Sequence, residues 1–176
     1  MSIVVANRQR ARKINLRLLK QIADGLLAEL KIQNVELEIN FVSTREMTRL
    51  NEKFLRHAGS TDVITFEYTN RGRSGSPRPS AKPGTMGTSR PTLHGEIFIC
   101  MDETVLQARR FRTTWQSELV RYLVHGVLHL LGYDDSRSVG RRKMKREEDR
   151  LVRELSRRFS LAQLARPGKL STCKNR

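Results

Sequence analysis

Between His125 and Asp135 the chain reads HGVLHLLGYDD, two histidines four residues apart followed by a glycine and two carboxylates. On a helix of 3.6 residues per turn, positions i and i+4 share a face, so His125 and His129 can direct ring nitrogens at one ion. Gly132 supplies the left-handed residue that ends such a helix and reverses the chain. The reversal lets Asp135 return towards the histidines, with Asp134 as the adjacent alternative. Two nitrogens and one oxygen leave a fourth tetrahedral position open. That suits one catalytic Zn²⁺ ion better than a structural zinc, whose fourth position is closed by protein.

The same spacing excludes a chemistry. Zinc proteases of the His-Glu-x-x-His type carry a glutamate general base directly after the first ligand. Here that position is Gly126, whose missing side chain allows backbone or substrate to approach closely. The flanks Leu119, Val120, Leu123, Val124, Val127, Leu128, Leu130 and Leu131 make the helix apolar almost all round, as a buried core helix should be. Buried imidazoles need partners, and a shared metal satisfies two at once.

The surrounding elements must hold this helix. Ile3 to Ala6 reads as a strand, and Leu16 to Leu30 as a helix with Leu16, Leu19, Ile22, Leu26, Leu27 and Leu30 at helical spacing. Val35 to Val42 alternates apolar and polar residues like a strand with one wet face. Ser43 or Thr44 caps a helix carrying Met47, Leu50 and Phe54. Asp62 to Tyr68 and Glu96 to Met101 are expected strands. Asp102 is expected to cap a helix to about Phe111, Trp115 to Leu131 forms the metal helix, and Val139 to Phe159 is the terminal helix. The expected fold class is α+β with an α/β-type order. It comprises a single domain in which a small mixed sheet of about four strands packs with about five helices, the metal site lying on a central helix.

Several ordered motifs resemble the YbeY family of bacterial zinc-dependent endoribonucleases and rRNA maturation factors. HGVLHLLGYDD is similar to the family's His-Gly-x-Leu-His-Leu-x-Gly-Tyr-Asp-His signature. Leu50-Asn51, the run Thr61 to Phe66, His94 to Ile99, Gln107-Ala108 and Glu118-Leu119 resemble further family segments, so the likeness covers about residues 1 to 155. Two positions depart from the pattern. The third family ligand is usually histidine where this chain has Asp135, which lowers the net charge of the complex by one and makes a coordinated water less acidic. An arginine implicated in the family's activity falls at Leu55, with Arg56 next along as the catalytic candidate. The resemblance implies a single-strand-specific endoribonuclease acting in 16S rRNA 3′-end maturation and ribosome quality control. Its implied partners are ribosomal RNA, the small subunit, and a ribosomal protein or GTPase.

Charge agrees with an RNA partner. Thirty-four Lys and Arg against 18 Asp and Glu give a formal charge of +16, which in a small domain implies a polyanion. Aromatic content is only 6%, so recognition by backbone and shape is expected over base stacking. The segment 69–92 holds four prolines, four glycines and five basic residues with no acid. Such composition is expected to be disordered when free, and Arg71 and Arg73 in it are candidate RNA contacts on a mobile basic arm. Arg141 and Arg142, with Lys145 and Arg146, are candidates to line an RNA path beside the site, though mixed charges on a helix usually mark a solvated face. Residues 160–176 form an expected basic tail after a domain spanning 1–159.

The remaining features bound the answer. No run of about 18 apolar residues could span a membrane, and the N-terminal MSIVVANRQRARK reverses the order of a secretory signal, so a cytoplasmic location is expected. Cys100 reads as a core residue and Cys173 as incidental; two cysteines make neither a disulfide framework nor a Cys-type zinc site. Glu118 lies two turns before His125 near the ligand face, placed to bond a ligand or the helix start. His57 and His94 lack ligand spacing. The alternative to an enzyme is a non-catalytic, metal-stabilised ribosome-assembly or RNA-binding factor.

Overall fold

In a computed structural model, residues 2–68, 78–79 and 92–165 are described. Five strands, β1 (Ser2–Asn7), β2 (Asn34–Val42), β3 (Val63–Glu67), β4 (Arg78–Pro79) and β5 (Thr92–Cys100), form one sheet in the order β1-β2-β5-β3-β4. β1, β2 and β5 run parallel, whereas β3 runs antiparallel to β5 and to the two-residue β4. Five α-helices accompany them: α1 (Leu16–Glu29), α2 (Thr44–Leu50), α3 (Met101–Arg110), α4 (Trp115–Leu130) and α5 (Ser138–Arg158). The expected mixed α+β domain is therefore observed, with four substantial strands and a short fifth.

The period-2 pattern of the strands divides the core. Leu37, Ile39 and Phe41 of β2, with Ile97 and Ile99 of β5, pack into one cluster with α1, α4 and α5. Val42, Ile64, Phe66, Phe98 and Cys100 face the other way, against Met47 of α2. The expected wet face of β2 exists only at its start, where Glu36 is exposed and Glu38 half-buried; from Asn40 onward every residue is buried, with α2 covering that end at Val42.

Several boundaries differ from expectation for tertiary reasons. β5 begins at Thr92, four residues early, because the backbone of Asn34 to Glu36 in β2 offers parallel partners to Thr92, Leu93 and His94. Asp102 does not cap α3. Cys100 occupies the N-cap position, and the Asp102 carboxylate instead accepts from the Thr44 backbone and hydroxyl, both at 3.0 Å, tying α3 to α2. Phe54 lies on a π-turn (Asn51–Leu55) that continues α2 and stops at Arg56. Within the segment 160–176, Leu161–Ala165 forms a 3₁₀ turn whose Leu164 is fully buried and accepts a backbone bond from Asn15. Of the 69–92 segment, Arg78 and Pro79 pair with β3 and Thr92 opens β5; its remainder, with Arg71 and Arg73, lies outside the described residues, as does Cys173. Among the described residues no helix is long and apolar enough to cross a membrane.

Helix α4 is the centre of the packing. Leu119, Val120, Leu123, Val124, Val127 and Leu128 are all fully buried. Thr114 caps its start, accepting from the Ser117 backbone at 3.2 Å, and Glu118 accepts from the Thr113 hydroxyl at 2.7 Å. Glu118 thus secures the helix start and not a metal ligand. Gly126 brings α4 against β5. A Cβ at that position would sit 2.9 Å from the Ile97 side chain, so the close approach serves sheet packing and not substrate. We expect Gly126→Ala to cost about 1–3 kcal/mol through overpacking, read as a lower denaturant midpoint; an unchanged midpoint would mean that the helix and sheet can separate freely here.

Candidate metal centre

The helical period places His125 and His129 on the one flank of α4 that is not sealed by apolar neighbours. Their Nε2 atoms lie 2.9 Å apart. Each ring's other nitrogen has a partner that can only accept. His129 Nδ1 lies 3.1 Å from the carbonyl oxygen of Tyr133, and His125 Nδ1 lies 3.0 Å from a carboxylate oxygen of Glu148. Both Nδ1 atoms therefore carry the proton, and both Nε2 lone pairs point at the same space. Two neutral acceptors at that distance repel unless a cation lies between them.

The turn after α4 supplies the third group. Gly132 adopts a left-handed conformation, and Tyr133 N–H bonds back to the Leu128 carbonyl at 3.0 Å while Gly132 N–H bonds to His129 at 2.9 Å. This pairing closes the helix as a Schellman motif. Beyond it, Asp134 is occupied by a local turn, accepting from the Ser136 backbone and hydroxyl at 2.8 Å each, bonds that hold its carboxyl below the usual range. Asp135 instead faces the histidines, its Oδ1 3.9 Å from His129 Nε2. One donor atom each from His125, His129 and Asp135 lie within 4.8 Å of one another. The aspartate side chain is 46% exposed, so this side of the cluster opens to solvent.

Helix α5 braces the loop. Gly140 packs so closely that a Cβ would collide with the Asp134 carbonyl, and Arg141 Nε donates to the Asp135 carbonyl at 3.1 Å. Two turns on, Glu148 is buried at 5% exposure beneath the histidines. Arg121 of α4 and Lys145 donate to its second oxygen, and both also pair with Asp149. Burial alone would raise the Glu148 pKa, but the bonds from His125, Lys145 and Arg121 outweigh it and hold the group down at about 2. Burial, and next the neighbouring His125, push His129 below the usual imidazole range and favour the neutral form that a metal ligand must have.

The other candidate residues are placed as follows. Arg56 is exposed, in a left-handed conformation at the end of the π-turn, and the bonds of the histidine pair do not run to it. Arg141 and Lys145 are committed to Asp135 and to Glu148 and Asp149, while Arg142 is exposed beside them. His94 contacts Glu36 and the Tyr68 ring on the sheet, and His57 is exposed. Glu148, Gly140 and Arg121 were not singled out from the sequence. One signal was present: Glu148 stands on the stripe that Met144, Leu151 and Leu155 bury, where a carboxylate needs a partner.

Fold and donor cluster together define a single-domain α+β protein with a candidate metal centre on a buried helix. Comparison gives the family. The sequence profile described as endoribonuclease YbeY matches residues 4–156. An endoribonuclease YbeY of Chlorobium phaeovibrioides is 33% identical over 78% of this chain and 80% of its own length. That of Myxococcus xanthus is 34% identical over 78% of this chain, which spans only 42% of that longer protein. The solution structure of TM1509 from Thermotoga maritima shares the fold, with a TM-score of 0.60 and 23% identity over 99% of this chain and 100% of that one. The chain belongs to the endoribonuclease YbeY family. The enzyme class expected from the sequence, a hydrolase acting on RNA, is the class for which these relatives are named.

A depressed carboxyl pKa is also a statement about stability. Glu148 is ionised in the fold down to about pH 2, against an ordinary value of 4.5, so its contribution is complete above about pH 4.5 and is lost as pH falls towards 2. We expect the metal-free protein to lose stability across that window in denaturant titrations, and Glu148→Gln to show a shallower loss. An equal slope in both would show that Glu148 carries no such linkage.

Proposed function

We propose that this chain is a zinc-dependent endoribonuclease of ribosomal RNA, with His125, His129 and Asp135 as the metal ligands. The observation that carries this reading is the pair of Nε2 atoms converging 2.9 Å apart, with each Nδ1 beside an oxygen acceptor. The donor set fits the ion. Neutral imidazoles and a carboxylate suit Zn²⁺, and three protein groups leave a position for water or substrate. A divalent ion held there supplies Lewis acidity towards an attacking water or a phosphodiester oxygen.

The chain's own groups do the rest. His125 and His129 are held in fixed orientations, the first by Glu148 and the second by the Tyr133 carbonyl. The half-exposed Asp135 leaves the open side accessible to a large polyanion. Arg142 beside the site, the exposed Arg56, and Arg71 and Arg73 in the segment outside the described residues are the basic groups proposed to meet RNA phosphates. A formal charge of +16 supports attraction of such a substrate. On this reading the protein acts in the cytoplasm on single-stranded RNA at the 3′ end of 16S rRNA, in maturation and quality control of the small subunit. A ribosomal protein or a GTPase is a proposed partner. The basic residues of the segment 69–92 are proposed to add to that attraction for RNA.

The test is metal content and cleavage of an RNA with a structured body and a single-stranded 3′ end, for the protein and for Asp135→Ala. Stoichiometric zinc with cleavage, and loss of cleavage by at least 100-fold in the variant with weakened zinc retention, is the expected result. Zinc retained by both proteins with cleavage by neither would favour the non-catalytic assembly factor.

A further inference from the structure

We propose that Glu148 is a positioning residue of the metal centre, fixing His125 in the one tautomer that leaves Nε2 free for an ion. The proposal rests on the metal reading above and concerns a residue 23 positions from His125, on a different helix. The division of its two oxygens carries the argument. One is taken by Arg121 and Lys145, which keep the buried carboxylate charged; the other is given to His125 alone.

Without that acceptor the neutral pair has a second arrangement. His125 could carry its proton on Nε2 and donate to His129 Nε2, already at hydrogen-bonding distance of 2.9 Å. The pair would then satisfy itself and present no converging lone pairs. Glu148 opposes this state, because a tautomer shift would set the Nδ1 lone pair against a carboxylate 3.0 Å away. His129 is held in the same sense by the Tyr133 carbonyl. One ring is thus oriented by the backbone of its own helix end and the other by a side chain from α5. Carboxylate partners of this kind also raise ligand basicity and strengthen metal binding.

The experiment measures zinc affinity by competition with a chromophoric chelator, together with the visible spectrum of the cobalt(II)-loaded protein, for wild type, Glu148→Ala and Glu148→Gln. Glu147→Gln is the control, since Glu147 pairs with Arg150 on the same helix and makes no bond to the histidines. The expected result is zinc binding weakened about 10–100-fold in both Glu148 variants. Their cobalt spectra should change in band position or intensity, with the control like wild type. Circular dichroism reports folding; if Glu148→Ala does not fold, the isosteric Glu148→Gln decides. Affinity within twofold of wild type and an unchanged cobalt spectrum in folded Glu148→Gln would overturn the proposal while leaving the metal site intact. Failure of the wild type itself to take up either ion would overturn the metal reading and this inference together.

Discussion

Both Nδ1 atoms of the histidine pair are committed to groups that can only accept, so both Nε2 atoms must face each other as acceptors across 2.9 Å. That repulsion sets the requirement the surrounding structure answers. A helix exposed to water could relieve it by turning either ring outward. Helix α4 has little such freedom, because it is wrapped by α3, α5 and the sheet and most of its apolar residues are fully buried. Close packing therefore holds two polar rings in an arrangement that a cation stabilises and that the chain alone does not.

The architecture serves this one flank of α4. Parallel β1, β2 and β5 give the support, and Gly126 lets the helix settle onto Ile97. The Schellman turn at Gly132 reverses the chain within a few residues, which brings Asp135 back without a long loop to order. Helix α5 then returns along α4. Its first turn holds the Asp135 backbone through Arg141, and its second and third turns deliver Lys145 and Glu148. Residues in a strongly basic run thus stiffen the centre, while Arg142 stays available at its edge.

What could be read from the sequence was mostly local. The histidine spacing, the glycine turn and the buried character of α4 follow from helical geometry within eleven residues, and the family motifs lay in order along the chain. The role of Glu148 was not legible, because it depends on two residues 23 positions apart meeting where their helices pack face to face. It sits in RRKMKREEDR, a run whose alternation of charges resembles any solvated helix. Asp102 misled for a related reason: its position beside a helix start suggests a cap, yet Thr44 from another element offers two donors at 3.0 Å. Gly140 carried no local sign of its importance, since only the fold reveals the Asp134 carbonyl where a Cβ would stand.

The central claim is that the converging imidazoles of His125 and His129 hold a divalent ion with Asp135. X-ray absorption at the zinc edge of the zinc-loaded protein tests it most directly. The account predicts a first shell of nitrogen and oxygen only, with outer-shell scattering from two imidazoles that disappears in a His125→Ala, His129→Ala double variant. A sulfur ligand, or a spectrum that the double variant leaves unchanged, would contradict it.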